Sequence, residues 1–236
     1  ASASGRWILS YNGEVYNYRD IKANLYYPYK TQSDTEVLLS CLECFGIDEL
    51  LKICNGMFAF AAYDTWEKEL YLCRDRLGIK PLYYYYDEDK IIFSSEIKGI
   101  LSSGLVEAVL DEESIDDYLG YRYVREPFTF FKNILQVKAG TCLCIGKGRK
   151  LTEKRYWKVP KVFNKEEKYD EEQVKRGLEE RLKTAVLQRT VADVPLGTYL
   201  SGGIDSSLLT AMVAENTKER VNTYTIGFSE LNEFEY

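Results

Sequence analysis

"YLSGGIDSSLLTAMV", Tyr199 to Val213, sets two adjacent glycines, three serines and an aspartate between two apolar runs. The flanks set its context. "VPLGTYL" (194–200) reads as a strand, "SGGIDSS" as a loop, "SLLTAMVAENTK" as a helix and "VNTYTIGF" (221–228) as a second strand. Strand, turn, helix, strand is the opening of a parallel α/β sheet. A loop entering a helix N-terminus exposes free N–H groups and the positive end of the helix dipole, which suits an anion. Gly202 and Gly203 let a ligand approach the backbone closely, and Ser201, Ser206 and Ser207 add hydroxyl donors. Asp205 would repel a bare phosphate, so it reads either as a helix cap or as a carboxylate that positions Mg²⁺. The loop has no lysine of a Walker sequence and no third glycine of a dinucleotide fingerprint. A serine-rich helix cap is the plain alternative.

Upstream of this stretch the pattern changes. "KVPKVFNKEEKYDEE" (158–172) is charged and holds Pro160, so it reads as a linker over 159–172. Behind it Val174, Leu178, Leu182, Ala185 and Val186 fall at helical spacing. Residues 1–158 read as short strands with a few helices, an antiparallel sheet system with helices on its faces. "SDTEVLLSCLECFG" is a helix capped by Ser33 or Asp34 and ended by Gly46. Asn12-Gly13 inside "RWILSYNGEVYNY" favours positive φ, so composition alone reads it as a hairpin turn.

Composition narrows the chemistry. The chain of 236 residues has no histidine, so it cannot build a Ser-His-Asp triad or a His-ligated zinc site from its own residues. A net charge of −6 without a basic stripe argues against nucleic acid. No eighteen-residue apolar run suggests a membrane span. Six scattered cysteines (41, 44, 54, 73, 142 and 144) make no disulfide framework. The expectation is buried reduced thiols and a cytoplasmic setting.

The motifs then align with known families. Ser201-Gly202-Gly203-Ile204-Asp205-Ser206 resembles the pyrophosphate loop of the N-type ATP pyrophosphatases. The resemblance implies that this loop holds ATP phosphates, that Leu200 and Ile226 line an adenine pocket, and that Asp205 helps hold Mg²⁺. Tyr11-Asn12-Gly13-Glu14, "QSDTEV" (32–37), "NGMFAFAAYD" (55–64), "CRDRLGIKPLYY" (73–84) and "SSEIKGIL" (94–101) occur ahead of it in that order. The whole set resembles the glutamine-hydrolysing asparagine synthetases. That implies an Ntn-type glutaminase of antiparallel sheet and helices over 1–158, without its N-terminal part, then an α/β synthetase domain beginning at 173.

In that family Asn12 and the Gly13 N–H would form the oxyanion hole. Glu14 and Asp34 would hold the α-amino group of glutamine. Glutamine, aspartate and ATP are the implied ligands, ATP goes to AMP and pyrophosphate through a β-aspartyl-adenylate, and a homodimer is implied. Arg74, Asp75, Arg76, Glu96 and Lys98 read as structural, and by charge alone as a solvated ion-pair network. No residue here matches the family's N-terminal cysteine nucleophile. The chain therefore reads as an internal piece of a longer enzyme, expected to be inactive as a glutaminase. The competing readings are a related ligase or cyclase acting on another carboxylate, of the β-lactam synthetase type, and a non-catalytic binding module.

Overall fold

A computed structural model describes residues 1–161, 170–192, 194–217 and 220–227. The chain divides into two compact units, Ala1–Lys161 and Val162–Tyr236.

In the first unit, strand β1 (Trp7–Val15) is followed by helices α1 (Tyr18–Ala23) and α2 (Asp34–Ile53). Strands β2 (Gly56–Asp64), β3 (Glu69–Arg74), β4 (Tyr83–Tyr86) and β5 (Ile91–Ser94) come next. Helices α3 (Ile97–Leu101) and α4 (Glu112–Tyr121) lead to β6 (Ile134–Gln136), β7 (Thr141–Ile145) and β8 (Leu151–Arg155). An antiparallel sheet runs in the order β1-β2-β3-β7-β8, and a smaller one in the order β5-β4-β6.

Strand alternation divides the core. Phe58, Phe60 and Ala62 of β2 pack with Val37, Leu38 and Leu42 of α2. Ala59 and Ala61, on the other face, pack with Leu82, Tyr84 and Val137 around the small sheet. The large sheet is thus covered by a helix on one side and by the small sheet on the other, the antiparallel arrangement expected from the pattern.

Four readings are corrected. Asn12-Gly13 is not a turn: β1 runs straight through it, pairing Asn12 with Ala59 and Gly13 with Phe58. The glycine serves a close approach, since a Cβ there would stand 2.2 Å from the Met57 carbonyl oxygen. Gly46 breaks the helix without ending it: its φ of 78° and ψ of −178° are non-helical, and the helix resumes to Ile53. Ser33, however, caps α2 by accepting from the Thr35 N–H. Of the cysteines, 41, 54, 73 and 142 are buried, but Cys44 is exposed and Cys144 half-buried.

Lastly, the "CRDR" stretch is not solvated at its centre. Arg74 and Asp75 are buried. The Arg74 guanidinium donates to the carbonyls of Lys80, Gly78 and Val137. The Asp75 carboxylate accepts from the N–H groups of Phe58, Leu77, Ile79 and Lys80. Together they bind the loop after β3 to the sheet.

In the second unit α5 (Glu171–Gln188), capped by Asp170, precedes β9 (Gly197–Tyr199), α6 (Ile204–Asn216) and β10 (Asn222–Tyr224). β9 and β10 pair in parallel with Thr198 opposite Thr223, as the strand-turn-helix-strand pattern requires. Val174 and Leu178 of the α5 stripe are exposed.

Candidate active site

Around Asn12-Gly13-Glu14 the geometry follows from β1 lying at the edge of its sheet. In an antiparallel strand, alternate residues turn both N–H and C=O toward the same side. The Arg6 carbonyl accepts from Thr65, next to β2, so even-numbered residues face inward. The Trp7 carbonyl accepts from Ser2, and the Val15 N–H donates to Asp34, so odd-numbered residues face outward. Gly13 therefore turns its N–H to the open edge, the same edge on which Val15 meets Asp34.

Asp34 reaches that edge because it is the first residue of α2, where the helix dipole favours a carboxylate. One of its oxygens, Oδ2, accepts from the Tyr11 hydroxyl at 2.6 Å and from the Val15 N–H at 3.0 Å. Burial first, then the Asp34 carboxylate, push the Tyr11 hydroxyl far above its usual range, so it stays a donor. The Asn12 side chain lies on the opposite face, where Nδ2 donates to Ser95 Oγ at 3.4 Å. A hollow lined by Pro81, Tyr83, Ser95, Glu96, Ile97 and Lys98 borders it, with a volume of about 360 Å³. Glu96 and Lys98 form an exposed ion pair there at 2.6 Å. Asn12 and Glu14 are exposed.

The structure thus gathers the Gly13 N–H and the Asp34 carboxylate along one strand edge. It does not join the Asn12 side chain to Asp34 by a bond among the described residues. Tyr11 and Ser95, the partners of Asp34 and Asn12, escaped the sequence reading. Both lie in motifs quoted above, Tyr11 beside Asn12 and Ser95 in "SSEIKGIL", but received no role there, and Ser95 lies 83 positions from Asn12.

The glycine-rich loop forms the second candidate. It links β9 to α6, whose N-terminus carries no side-chain cap. Gly202 takes a φ of +82°. Ser206 Oγ accepts from the Ser201 N–H at 3.3 Å, lies 3.1 Å from Ser201 Oγ and donates to the Gly203 carbonyl. Ser206 thus staples the loop shut on the helix's first turn, where Asp205 also sits exposed. Leu200 directly follows β9, and Ile226 lies two residues beyond β10. The Leu200 N–H donates to the Tyr224 carbonyl, and Thr225 Oγ1 donates to the Leu200 carbonyl at 2.5 Å. Uncapped N–H groups with a single carboxylate beside them fit a phosphate and a Mg²⁺ held largely by that phosphate. Among the described residues no three or more acidic, cysteine or histidine side chains gather around a metal position.

Comparison with known proteins finds two families in succession along the chain. The glutamine amidotransferase domain family matches residues 1–157. The chain belongs to that family.

Behind this amidotransferase domain, the asparagine synthase family matches residues 177–236. A protein of Methanocaldococcus jannaschii named putative asparagine synthetase [glutamine-hydrolyzing] 2 is 34% identical over 94% of this chain and 43% of its own length. Asparagine synthetase [glutamine-hydrolyzing] 1 of Bacillus subtilis is 33% identical over 95% of this chain and 35% of its own. A Gibberella zeae protein named amidase chry2 is 34% identical over 88% of this chain and 31% of its own. The chain spans less than half the length of each of these relatives. No helix of the described residues is long and apolar enough to cross a membrane.

Proposed function

We propose that this chain is part of an enzyme that makes asparagine from aspartate, with glutamine as ammonia donor. ATP would be converted to AMP and pyrophosphate through a β-aspartyl-adenylate. The observation that carries the reading is the succession, in one chain, of an amidotransferase domain and a strand-loop-helix of the asparagine synthase family. In this reading residues 1–158 are the glutaminase, 159–172 the linker and 173–236 the opening of the synthetase domain.

Each site residue then has a task. The Gly13 N–H, on the open edge of β1, and the Asn12 amide stabilise the oxyanion of the tetrahedral intermediate as fixed neutral donors. Glu14 and Asp34 receive the α-ammonium of glutamine through charge-assisted bonds. Ser201, Gly202, Gly203 and Ser206 cradle the β- and γ-phosphates, and Leu200 and Ile226 flank the adenine. Asp205 is the carboxylate that would hold Mg²⁺, which when bound offsets phosphate charge. A cytoplasmic setting and a homodimer belong to the same proposal.

The test uses a polypeptide of the relatives' length with this chain as its matching portion. Asparagine formation from aspartate, ATP and glutamine is followed together with pyrophosphate release. Asp205→Ala should lower asparagine formation whether ammonia or glutamine supplies the nitrogen. Asn12→Ala should lower it at least a hundredfold with glutamine. Formation of a different amide from another carboxylate would replace aspartate in the reading.

A further inference from the structure

Two donors converge on one oxygen of Asp34. The Tyr11 hydroxyl stands 2.6 Å from Oδ2 and the Val15 N–H 3.0 Å from it. Among the described residues the other oxygen, Oδ1, has a single hydrogen-bond partner, the Ser33 hydroxyl at 3.5 Å. A carboxylate offers about four lone-pair positions. With Oδ2 committed to the protein, Oδ1 keeps the greater capacity to accept from an incoming cation. Without such anchoring an aspartate at a helix start would rotate about its side-chain torsions and bond its own backbone. The Val15 bond is a backbone bond, whereas the Tyr11 bond depends on one side chain. Tyr11 can supply it because its ring packs against the core between β1 and α2, and this leaves the hydroxyl little freedom.

We propose that Tyr11 is a positioning residue that orients the Asp34 carboxylate, and thereby selects a ligand bearing an α-ammonium group. The proposal rests on the glutamine reading above and deepens it. Tyr11 touches neither the substrate nor the reacting atoms; it acts through Asp34. Its loss should therefore weaken capture of the ammonium without changing the chemistry at the carboxamide.

The test is Tyr11→Phe in the polypeptide of the relatives' length, which keeps the ring in the core and removes only the hydroxyl. Glutamine hydrolysis is measured across glutamine concentrations. Inhibition by 4-carbamoylbutanoate, which is glutamine without its α-ammonium, is measured beside it. The expected result is a KM for glutamine raised about tenfold, the size of one lost hydrogen bond, with kcat changed less than twofold. The inhibition constant of 4-carbamoylbutanoate should stay unchanged, and this also certifies that the variant pocket is folded. An unchanged KM overturns the proposal, as does an equal weakening of both compounds, which would make Tyr11 a packing residue only. If the unaltered enzyme holds glutamine no better than 4-carbamoylbutanoate, Asp34 reads no ammonium and the glutamine assignment of Asp34 falls first.

Discussion

Gly13 lies so close to Phe58 across the β1–β2 pair that a Cβ on the glycine would stand 2.7 Å from the Phe58 Cα. The Met57 carbonyl oxygen would be nearer still, at 2.2 Å. Both neighbours are backbone, so neither yields by a rotamer change. Gly13→Ala must push β2 away from β1 in the strand that carries the candidate oxyanion donors. The expected loss is about 3 kcal/mol of stability, at the upper end for overpacking. Urea unfolding of the variant checks it; a loss below about 0.5 kcal/mol, the ordinary range of neutral surface changes, would mean that the strands separate freely.

Arg74 joins three carbonyls, those of Gly78 and Lys80 in the loop just after it and that of Val137, 63 positions away. Its planar fork meets them at 2.6 to 2.8 Å, while its side chain is only 7% exposed. A lysine carries the charge but cannot span three acceptors in that geometry. Arg74→Lys should cost about 3 kcal/mol, since at least one buried carbonyl loses its donor and a charge loses partners. The same unfolding assay decides this, and a variant as stable as the parent would refute it.

Asp64 provides a pH-dependent case. Its side chain is 3% exposed and meets Arg6 at 2.6 Å. Burial pushes this carboxyl up, but the Arg6 guanidinium and the N–H groups of Glu67 and Trp66 outweigh burial and hold it below the usual carboxylate range. A depressed folded value adds stability above the unfolded value, near pH 4, and that stability fades as the pH falls through the folded value. Asp64→Asn should therefore cost about 2 kcal/mol at pH 7, the scale of a hydrogen bond to a charged group. Arg6 is partly exposed, which spares the variant the full penalty of an abandoned buried charge. The gap between parent and variant should narrow below about pH 4. A gap that stays constant between pH 7 and pH 3 would show that the ion pair is not its source.

Gly13 and Arg74 also mark how far the sequence could be read. The helix from Asp34, its Ser33 cap and the strand-loop-helix at 197–216 were legible because each signal is local. A cap acts two residues away, and an apolar stripe repeats within one turn. Asn12-Gly13 misled because turn propensity registers the preference of two residues and not the strand lying opposite. Only the approach of Met57 and Phe58 explains why a glycine is needed in the middle of β1. The meeting of Asp34 with Tyr11 was hidden for a similar reason: 23 residues separate them, and the docking of α2 brings them together. The charges of "CRDR" suggested solvent, yet Arg74 and Asp75 saturate backbone groups of a loop that no local pattern places.

The two glycines of the loop between β9 and α6 separate fold from ligand contact. Gly202 holds a φ of +82°, a conformation that costs a side-chain-bearing residue about 1 kcal/mol or more. Gly203 has φ −76° and ψ 160°, open to any residue, and a Cβ there would meet only Ser201 Oγ at 3.7 Å. The loop by itself thus requires the first glycine and not the second. A phosphate seated against the uncapped N–H groups of α6 would require both, because a methyl group at 203 would stand where the ligand approaches. Gly203→Ala should accordingly leave the melting temperature of the polypeptide of the relatives' length unchanged, while weakening Mg²⁺–ATP binding at least tenfold, about 1.4 kcal/mol. Gly202→Ala should lower both. Calorimetric titration with ATP and a thermal melt measure the two effects separately. Unaltered ATP affinity in Gly203→Ala would show that phosphate does not sit on this loop, and the nucleotide assignment of residues 201–206 would have to be withdrawn.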